Sequence, residues 1–394
     1  MPLRMVRRAI LVLCVLVASA CHSAPAAAPS SDADGIRSVR YVGRFDWNDP
    51  AGPRYAWSGA TMRVRFRGSS IAFRVRAAPV PSLTKGEPAT ERATPYTATI
   101  DGVKKAIPVR DTSERYELAR GLDPDRVHEA SLTREAEAMA GVHQFLGFEV
   151  EGNILPPPPP RRYAIEIVGD SITCGYGILG ADKSCSFSYE TERVSTAFGV
   201  LAGEMVDADV RLVCWSGFGV IRNYDRTRTP TMPELFERTL PESSSAPWFG
   251  VREPGPDPTA RRTPDVVVVA LGTNDFQESS KTALDLRAFR TRFEAFLARV
   301  RAVYGSAWIL VTESPLLGPD PTPSGPGTVR EVEHRALASI VFARRSAGDT
   351  RVELLEVPWA GDRLGCDWHP NAEMHRILGA ELARALRTKL GVSR

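Results

Sequence analysis

The sequence predicts two domains: an all-β jelly roll, followed by an α/β domain built on a doubly wound parallel sheet. Three observations lead to this prediction. Residues 36–153 hold short alternating segments between Gly, Pro and Asp turns, and residues 163–394 hold near-continuous apolar runs that alternate with helical stretches. Five consecutive prolines stand between the two patterns. A chain of 394 residues is long enough for two domains of ordinary size.

Residues 1–35 are expected to precede the folded domains. MPLRMVRR is basic, and the apolar stretch AILVLCVLVASA after it is too short to span a bilayer, which predicts a secretory signal. ASAC resembles a bacterial lipobox, with Ala18 where leucine is usual, so Cys21 is a candidate for lipidation; the alternative is cleavage after Ala20 without a lipid. HSAPAAAPSSDADG then predicts a flexible tether. The protein is therefore expected to be exported, as a lipoprotein of the cell envelope or as a periplasmic or secreted protein.

The β domain, residues 36–153, is predicted from period-two patterns. TMRVRFRGSSIAFRVRA alternates apolar and basic residues on both sides of GSS, which predicts a hairpin with one buried and one solvated face. Further short strands are predicted at SVRYVGRFDW, YTATIDG, HEASLTRE and FLGFEVEGN. Many short strands at this spacing are typical of a sandwich or jelly roll.

Residues 154–162, ILPPPPPRR, are predicted to form a semi-rigid spacer, because proline lacks a backbone donor and favours polyproline II. After it, YAIEIVGD, DVRLVCWSG, DVVVVALGTND, AWILVTESP and RVELLEV are apolar runs typical of parallel strands that are covered on both faces. Apolar residues recur every three or four positions in DLRAFRTRFEAFLARVRAVYG, TVREVEHRALASIVFARR and NAEMHRILGAELARALRTKLG, which predicts helices.

Composition excludes some partners. The 50 Lys and Arg residues nearly balance 47 Asp and Glu, for a net charge of +3, and the arginines are dispersed, so no nucleic-acid partner is expected. No segment after the leader is long and apolar enough for a membrane helix, which leaves Cys21 as the one expected link to a membrane. Four cysteines follow the leader, and their spacing matches no zinc pattern. Export permits disulfides, with Cys174–Cys185 a candidate local pair; four buried thiols are the alternative.

Chemically suggestive residues follow three of the predicted strands and precede the last helix. They are Gly169-Asp170-Ser171, Ser216-Gly217-Phe218-Gly219, Gly272-Thr273-Asn274-Asp275 and Asp367-Trp368-His369-Pro370. Each alone is compatible with a turn or a helix cap. Parallel strands, however, bring their carboxyl ends to one edge of the sheet. Together the residues offer a serine nucleophile, a histidine base, and oxyanion donors in the backbone N–H groups of Ser171 and Gly217 and the amide of Asn274.

These blocks resemble those of the SGNH hydrolases over residues 163–394: GDSIT, SGFG, LGTND and DWHP match the four blocks in order. RYVGRFDWNDPAGPRYAWSGA and FLGFEVEGNIL, followed by GDSITCGYG, resemble carbohydrate esterase family 2, whose members remove acetyl groups from acetylated xylan and related glycans. The resemblance implies Ser171 as nucleophile, His369 as base, Gly217 and Asn274 as oxyanion donors, and no cofactor. Gly219 is the less favoured substitute for Gly217.

The residue that orients His369 is left open by the sequence. The superfamily often has an aspartate three residues before the catalytic histidine, where this chain has Cys366, and Asp367 is only two residues before it. Some members of family 2 resemble Ser-His dyads in which a backbone carbonyl holds the ring. We therefore favour a dyad, with Asp367 as a possible third member. Trp368 is a candidate to stack on a sugar ring, or else packs within its loop.

The function predicted from these residues is an exported serine esterase that deacetylates carbohydrate, with acetylated xylan, glucomannan or a related glycan as its partner. One alternative is the same chemistry on another acyl ester. A second alternative, of a different class, is a non-catalytic glycan-binding protein on an esterase scaffold.

Overall fold

The computed structural model describes residues 32–79, 93–250, 261–277 and 283–392. The predicted signal, the lipobox at Cys21 and most of the predicted tether lie outside these residues. A short helix, α1 (Asp32–Arg37), packs against the last strand of the β domain, so the fold begins a few residues earlier than the predicted boundary at residue 36. None of the helices in these ranges has the length and apolar character needed to cross a membrane.

The N-terminal domain is an antiparallel β structure, as the jelly-roll prediction requires. Its strands run in the order β2-β8-β3-β7-β4-β5, with β1 and β6 also paired to β3. Aromatic and aliphatic side chains from most of these strands form one core. The strands are β1 (Arg40–Val42), β2 (Arg54–Tyr55), β3 (Thr61–Arg76), β4 (Thr94–Ile100), β5 (Val103–Val109), β6 (Arg115–Arg120), β7 (His128–Arg134) and β8 (His143–Leu155).

The hairpin predicted around GSS is wrong. Strand β3 runs through this segment for 16 residues without reversing. Its pairing with β8 shifts register between Gly68 and Ile71, which is a β-bulge. Gly68 faces Gly152 there, and a side chain on Gly152 would lie 2.0 Å from the Arg67 carbonyl oxygen. The glycine therefore permits a close crossing of two strands and a bend, instead of a turn.

The C-terminal domain contains a parallel sheet in the order β10-β9-β11-β12-β13, as predicted. Its strands are β9 (Tyr163–Gly169), β10 (Ala208–Cys214), β11 (Val266–Ala270), β12 (Trp308–Thr312) and β13 (Val352–Leu355). Its helices are α2 (Ser171–Cys174), α3 (Phe198–Met205), α4 (Met232–Leu235), α5 (Thr273–Phe276), α6 (Leu286–Tyr304), α7 (Val329–Ser346) and α8 (Ala372–Leu390). Short 3-10 helices span Tyr189–Thr191, Val194–Thr196 and Cys366–Trp368.

Helices cover both faces of this sheet, which makes it doubly wound. The apolar faces of α6 and α7 pack on one side with Val267 and Val269 of β11. Helices α3 and α8 pack on the other side with Val266 and Val268. Alternate residues of one strand thus enter two separate cores, which explains why the strand sequences are apolar throughout.

The two domains share a buried interface. Arg44 of the β domain donates to Glu166 of β9 at 2.7 Å, and both side chains have no exposed surface. Arg211, whose position on β10 pairs with Glu166, contacts the same carboxylate, and the Tyr304 hydroxyl donates to it at 3.0 Å. Trp57 of the β domain is fully buried in the core that contains α6. The spacer is also held, since Arg40 Nε donates to the Pro158 carbonyl at 3.0 Å.

The candidate local disulfide Cys174–Cys185 is wrong, because the cysteines pair as Cys174–Cys214 and Cys185–Cys366. The first disulfide joins α2 to the end of the neighbouring strand β10. The second spans 181 residues and fastens the loop that contains Asp367, Trp368 and His369. The parallel topology brings these segments together, and their separation in sequence concealed both pairings.

Candidate active site

Ser171 follows the carboxyl end of β9, the second strand of the parallel sheet, and is the first residue of α2. The Asp170 carboxylate caps this helix and accepts a hydrogen bond from the Ile172 N–H at 3.0 Å. Gly169 is required by close packing, because a β-carbon there would lie 2.0 Å from the Thr173 hydroxyl oxygen. The Gly-Asp-Ser sequence therefore places Ser171, with 5% of its surface exposed, at the edge of the sheet.

The serine and the predicted base are in contact. The Ser171 Oγ and His369 Nε2 atoms are 2.8 Å apart. On the other side of the ring, Nδ1 is 2.9 Å from the backbone carbonyl oxygen of Asp367 and donates to it. This second bond fixes the tautomer in which Nε2 is free to accept the serine proton. The favoured arrangement, a dyad oriented by a backbone carbonyl, is the geometry that the structure has.

The Asp367 carboxylate is not placed as a triad acid. It accepts hydrogen bonds from the Tyr176 hydroxyl at 2.9 Å and from the Phe187 N–H at 2.8 Å. The backbone of Asp367 has a positive φ of 50°, so its carbonyl, and not its side chain, is directed to His369. The carboxylate contacts His369 only indirectly, through Tyr176: it accepts a hydrogen bond from the Tyr176 hydroxyl, and the Tyr176 ring packs against the His369 ring with centroids 4.2 Å apart.

The strands on either side of β9 supply the predicted oxyanion donors. Gly217 follows β10 with a φ of 82°, and Asn274 lies in α5, directly after β11. Within the described parts of the chain, the N–H groups of Ser171 and Gly217 have no hydrogen-bond partner. The Gly219 N–H, by contrast, donates to the Asn223 side chain at 3.1 Å. The substitute donor Gly219 is thereby already occupied, and Gly217 is available.

Asn274 is held in place by its own amide. Its Nδ2 donates one hydrogen to the Phe218 carbonyl at 3.0 Å, which leaves the second hydrogen of the amide for another acceptor. Because the sheet order is β10-β9-β11, Gly217, Ser171 and Asn274 all follow adjacent strands at one edge. The four blocks that the sequence singled out therefore meet at one site.

Asp275 is a supporting residue that the sequence analysis missed. Its buried carboxylate accepts from three consecutive N–H groups, those of Val220, Ile221 and Arg222, at 2.8 to 3.2 Å. Burial raises the pKa of Asp275 to about 6, although these three bonds lower it. The residue after Asn274 thus holds the loop that begins at Gly217. Its position inside the GTND block was the available signal.

Trp368 is 60% exposed, so it does not serve as packing for the loop interior. The Lys183 Nζ lies over Trp368, 4.6 Å from the centre of its ring.

The other described histidines have hydrogen-bond partners away from Ser171. His128 contacts Asp101, His143 contacts Tyr96, His334 contacts Glu313, and His375 accepts from the Phe198 N–H. Among the described histidines, His369 is the one in hydrogen-bond contact with Ser171.

One group of side chains has the spacing of a metal site in the described ranges. Glu137, Glu192 and Cys174 place ligand atoms within 4.8 Å of one another. The Cys174 sulfur is bonded to Cys214, so it offers no thiolate. The group is therefore two buried carboxylates beside a disulfide, which does not fit the ligand sets of zinc.

Catalysis by Ser171 with His369 as its base is expected to persist to about pH 4. Burial lowers the pKa of His369 to about 4, although the carbonyl and carboxylate of Asp367 raise it. The base must be neutral to accept a proton, so a lower pKa extends activity toward acid. A profile of kcat/KM from pH 3.5 to 8 checks this, provided the protein is shown by circular dichroism to stay folded. An acid limb with a midpoint between pH 6 and 7 would contradict it.

Two family models match the chain. Residues 41–159 match "Carbohydrate esterase 2 N-terminal", and residues 167–377 match "GDSL-like Lipase/Acylhydrolase family". The two matches meet at the predicted spacer and together cover both domains.

Individual relatives carry related names. The chain is 31% identical to the cellulase/esterase CelE of Acetivibrio thermocellus over 92% of its own length, but it spans only 40% of that relative. It is 24% identical to an acetylxylan esterase/glucomannan deacetylase of Cellvibrio japonicus, with 88% of each chain covered. A family two carbohydrate esterase from Clostridium thermocellum, solved with cellohexaose, has a TM-score of 0.77 and 30% identity, covering 90% of this chain and 99% of that one.

Proposed function

Because the chain belongs to carbohydrate esterase family 2, within the GDSL-like lipases and acylhydrolases, we propose that it removes acetyl groups from carbohydrate by a Ser-His mechanism. The observation that carries the proposal is the 2.8 Å contact of Ser171 Oγ with His369 Nε2, beside two unoccupied backbone donors. Acetylated xylan and glucomannan are the proposed substrates, since a relative that spans most of this chain has both activities in its name.

In the proposed reaction, Ser171 Oγ attacks the acetyl carbonyl carbon while His369 Nε2 takes the serine proton. The carbonyl oxygen becomes an oxyanion, which the N–H groups of Ser171 and Gly217 and the Asn274 amide stabilise. His369 then returns the proton to the leaving sugar oxygen, which leaves an acetyl-serine. Water, deprotonated by His369, attacks the carbonyl carbon of this ester; the bond to Ser171 Oγ then breaks, His369 returns the proton to that oxygen, and acetate is released.

The proposed chemistry needs no cofactor, because side chains and backbone of this chain supply the nucleophile, the base and the oxyanion donors. The imidazolium that forms on His369 is held by the Asp367 carbonyl at 2.9 Å. The carbonyl dipole supports that positive charge, as a carboxylate would do more strongly.

Trp368 is proposed to contact the sugar. Trp368 immediately precedes His369 in the chain and is 60% exposed, so an apolar ring face is open to solvent next to the proposed base. The apolar C–H face of a pyranose can stack on such a ring. Lys183 lies over one face of the same indole, so the sugar is proposed to stack on the opposite face.

Export is proposed as the setting of this activity. Two disulfides, Cys174–Cys214 and Cys185–Cys366, are typical of proteins that fold in an oxidising compartment. The basic and apolar leader and the lipobox-like ASAC favour the same setting, with lipidation at Cys21. Metabolic labelling with a palmitate analogue of the parent and of Cys21→Ser tests the lipid anchor.

The proposed function is tested by acetate release from acetylated xylan and acetylated glucomannan, measured for the protein and for Ser171→Ala. We expect release by the parent and none by the variant. A matched series of p-nitrophenyl esters, from acetate to decanoate, is assayed beside them. A preference for long chains would support another acyl substrate. Binding to glycans without cleavage of any ester would support the non-catalytic alternative.

A further inference from the structure

The β domain reaches the candidate oxyanion loop through one side chain. Glu137 follows β7 and is fully buried at the domain interface. Its carboxylate accepts a hydrogen bond from the Ser216 N–H at 2.6 Å and a second one from the Ser216 hydroxyl. Ser216 is the residue directly before Gly217, whose N–H has no partner among the described residues and which follows β10, the strand next to that of Ser171.

The two hydrogen bonds hold the backbone N–H and the side-chain hydroxyl of Ser216. The N–H of Ser216 is bound to Glu137, and the next peptide, between Ser216 and Gly217, carries the donor itself. On the other side, the Gly217 carbonyl accepts from the Tyr224 N–H at 2.7 Å. The residues on both sides of the Ser216–Gly217 peptide are therefore hydrogen-bonded, which limits how far the loop that carries the donor can move. Glycine at a φ of 82° has no side chain to restrict it, so the placement of its N–H depends on these flanking bonds.

Glu137 itself is held from the β domain. The Arg134 guanidinium donates to the carbonyl oxygens of Ala136 and Glu137 at 3.1 Å, and the Glu137 N–H donates to the Glu192 carboxylate at 3.2 Å. The charged groups that face the Glu137 carboxylate are Arg134, Asp170 and Glu192. The segment that carries Glu137 is thus fastened at its backbone while its carboxylate holds Ser216.

The buried carboxylates Glu137 and Glu192 lie within 4.8 Å of each other, a separation that disfavours two charges. Burial raises the pKa of Glu137 to about 7, and burial together with the charge of Glu137 raises the pKa of Glu192 well above its ordinary value. Two donated hydrogen bonds favour the charged form of Glu137, so the shared proton belongs on Glu192. Glu137 is then the anion that receives both donors of Ser216.

We propose that Glu137 is a positioning residue: it holds Ser216, and through it the Gly217 N–H, in the orientation that stabilises the oxyanion at Ser171. This inference rests on the proposed function. It gives the β domain a part in the chemistry beyond binding or shielding. It also assigns a role that lies outside all four sequence blocks of the hydrolase domain.

Glu137→Ala tests the proposal. A misplaced oxyanion donor is expected to lower kcat about 30- to 100-fold. KM is expected to stay within about two-fold, because the ground-state carbonyl uses the donor less than the oxyanion does. Glu137→Gln keeps one acceptor oxygen and is expected to recover most of kcat.

Glu135→Ala is the matched control. Glu135 is equally buried, two residues away on the same segment, but its carboxylate accepts from the Ser195 N–H at 2.9 Å and not from the oxyanion loop. A general loosening of the domain interface would reduce kcat in both variants. We expect a loss of stability in both and a loss of kcat only at Glu137. Equal losses of kcat at both positions would overturn the proposal.

A double variant connects Glu137 to Ser216. If Glu137 acts through this residue, Glu137→Ala with Ser216→Ala loses no more kcat than Glu137→Ala alone. The rate at which a fluorophosphonate labels Ser171 is measured in parallel, because its phosphoryl oxygen enters the same donors and no natural substrate is needed. In that step Ser171 Oγ bonds to phosphorus, fluoride leaves, and the serine proton goes to His369.

These readings separate two kinds of failure. A wild-type protein that is labelled but releases no acetate would refute the proposed substrate and leave the positioning role measurable from labelling rates. A Glu137→Ala protein with kcat and labelling rate within three-fold of the parent would refute the positioning role alone. A wild-type protein that is neither labelled nor active would refute both.

Discussion

Replacing His369 by alanine is expected to lower kcat about 10³-fold or more, since the loss of the base from a serine hydrolase removes the group that activates the nucleophile. The Ser171 hydroxyl keeps its position at the end of β9 but has no acceptor at 2.8 Å. KM for p-nitrophenyl acetate is expected to change little. Steady-state kinetics of the purified variant, with Ser171→Ala as the blank, measures the residual rate.

Asp367→Asn is the informative partner of that variant. A triad aspartate replaced by asparagine typically costs about 10⁴ in kcat, because the histidine tautomer is lost. Here the backbone carbonyl of Asp367 fixes the tautomer, and asparagine keeps that carbonyl and tolerates a positive φ. We expect kcat to fall less than ten-fold, through weaker support of Tyr176. A loss near that of His369→Ala would show that the carboxylate is needed after all.

The largest effect on stability is expected at Glu166. Replacing it by glutamine leaves two buried arginines, Arg44 and Arg211, facing a neutral amide whose donors oppose theirs. Removing one partner from a buried ion pair typically costs about 3–5 kcal/mol of unfolding free energy. Urea unfolding followed by tryptophan fluorescence measures the cost. Because Arg44 belongs to the β domain, both domains are expected to lose stability together.

Glu353→Gln is the matched control for Glu166. Glu353 is also a glutamate on a strand of the same sheet, but on the edge strand β13, and its pair with Lys389 is partly exposed. We expect a loss of less than about 1 kcal/mol there. Similar losses of unfolding free energy in the two variants would contradict the prediction that the buried interface carboxylate contributes more to stability than the partly exposed one.

The difference in free energy of unfolding between the parent and Glu166→Gln is expected to depend on pH. Burial alone would raise the pKa of Glu166, but Arg211 and Arg44 outweigh it and lower the pKa below its ordinary value of 4.5. The stability that the carboxylate contributes is therefore complete above the unfolded pKa and is lost as pH falls through the lower, folded one. The difference in free energy of unfolding, measured by urea unfolding of both proteins, is therefore expected to become smaller as pH falls below about 4.5.

Local patterns predicted most of the secondary structure. Apolar runs marked all five parallel strands, and the three- and four-residue periods marked α6, α7 and α8. The predictions failed where a contact distant in sequence decided the outcome. GSS has the residues of a turn, yet β8 pairs with β3 on both sides of it, from Arg65 to Arg76, and the pairing shifts register there in a bulge. Strands β5 and β6 were missed, because mostly exposed segments such as VKKAIPV carry no clear alternation.

The site was predictable as far as its blocks reach. Ser171, Gly217 and Asn274 each follow one of three adjacent strands, and the parallel topology brings those strand ends to one edge. His369, directly before α8, was predicted from its block and not from the topology. The roles of Tyr176 and Asp275 depend on side-chain directions that no spacing reveals. Glu137 lies in another domain, 79 residues from its partner Ser216, so nothing in the local sequence could connect them.

The proline segment carries a consequence for how such proteins are assembled. It is bound on both sides, with Pro158 accepting from Arg40 and the Arg161 N–H donating to Asp209 at 3.0 Å. The proline segment is therefore part of the interface between the two domains, and not a flexible linker at which one domain can be exchanged for another. Recombination that moved the hydrolase domain alone would leave Glu166 without Arg44 and Ser216 without Glu137. The unit that can be inherited or transplanted into a larger protein is the pair of domains together.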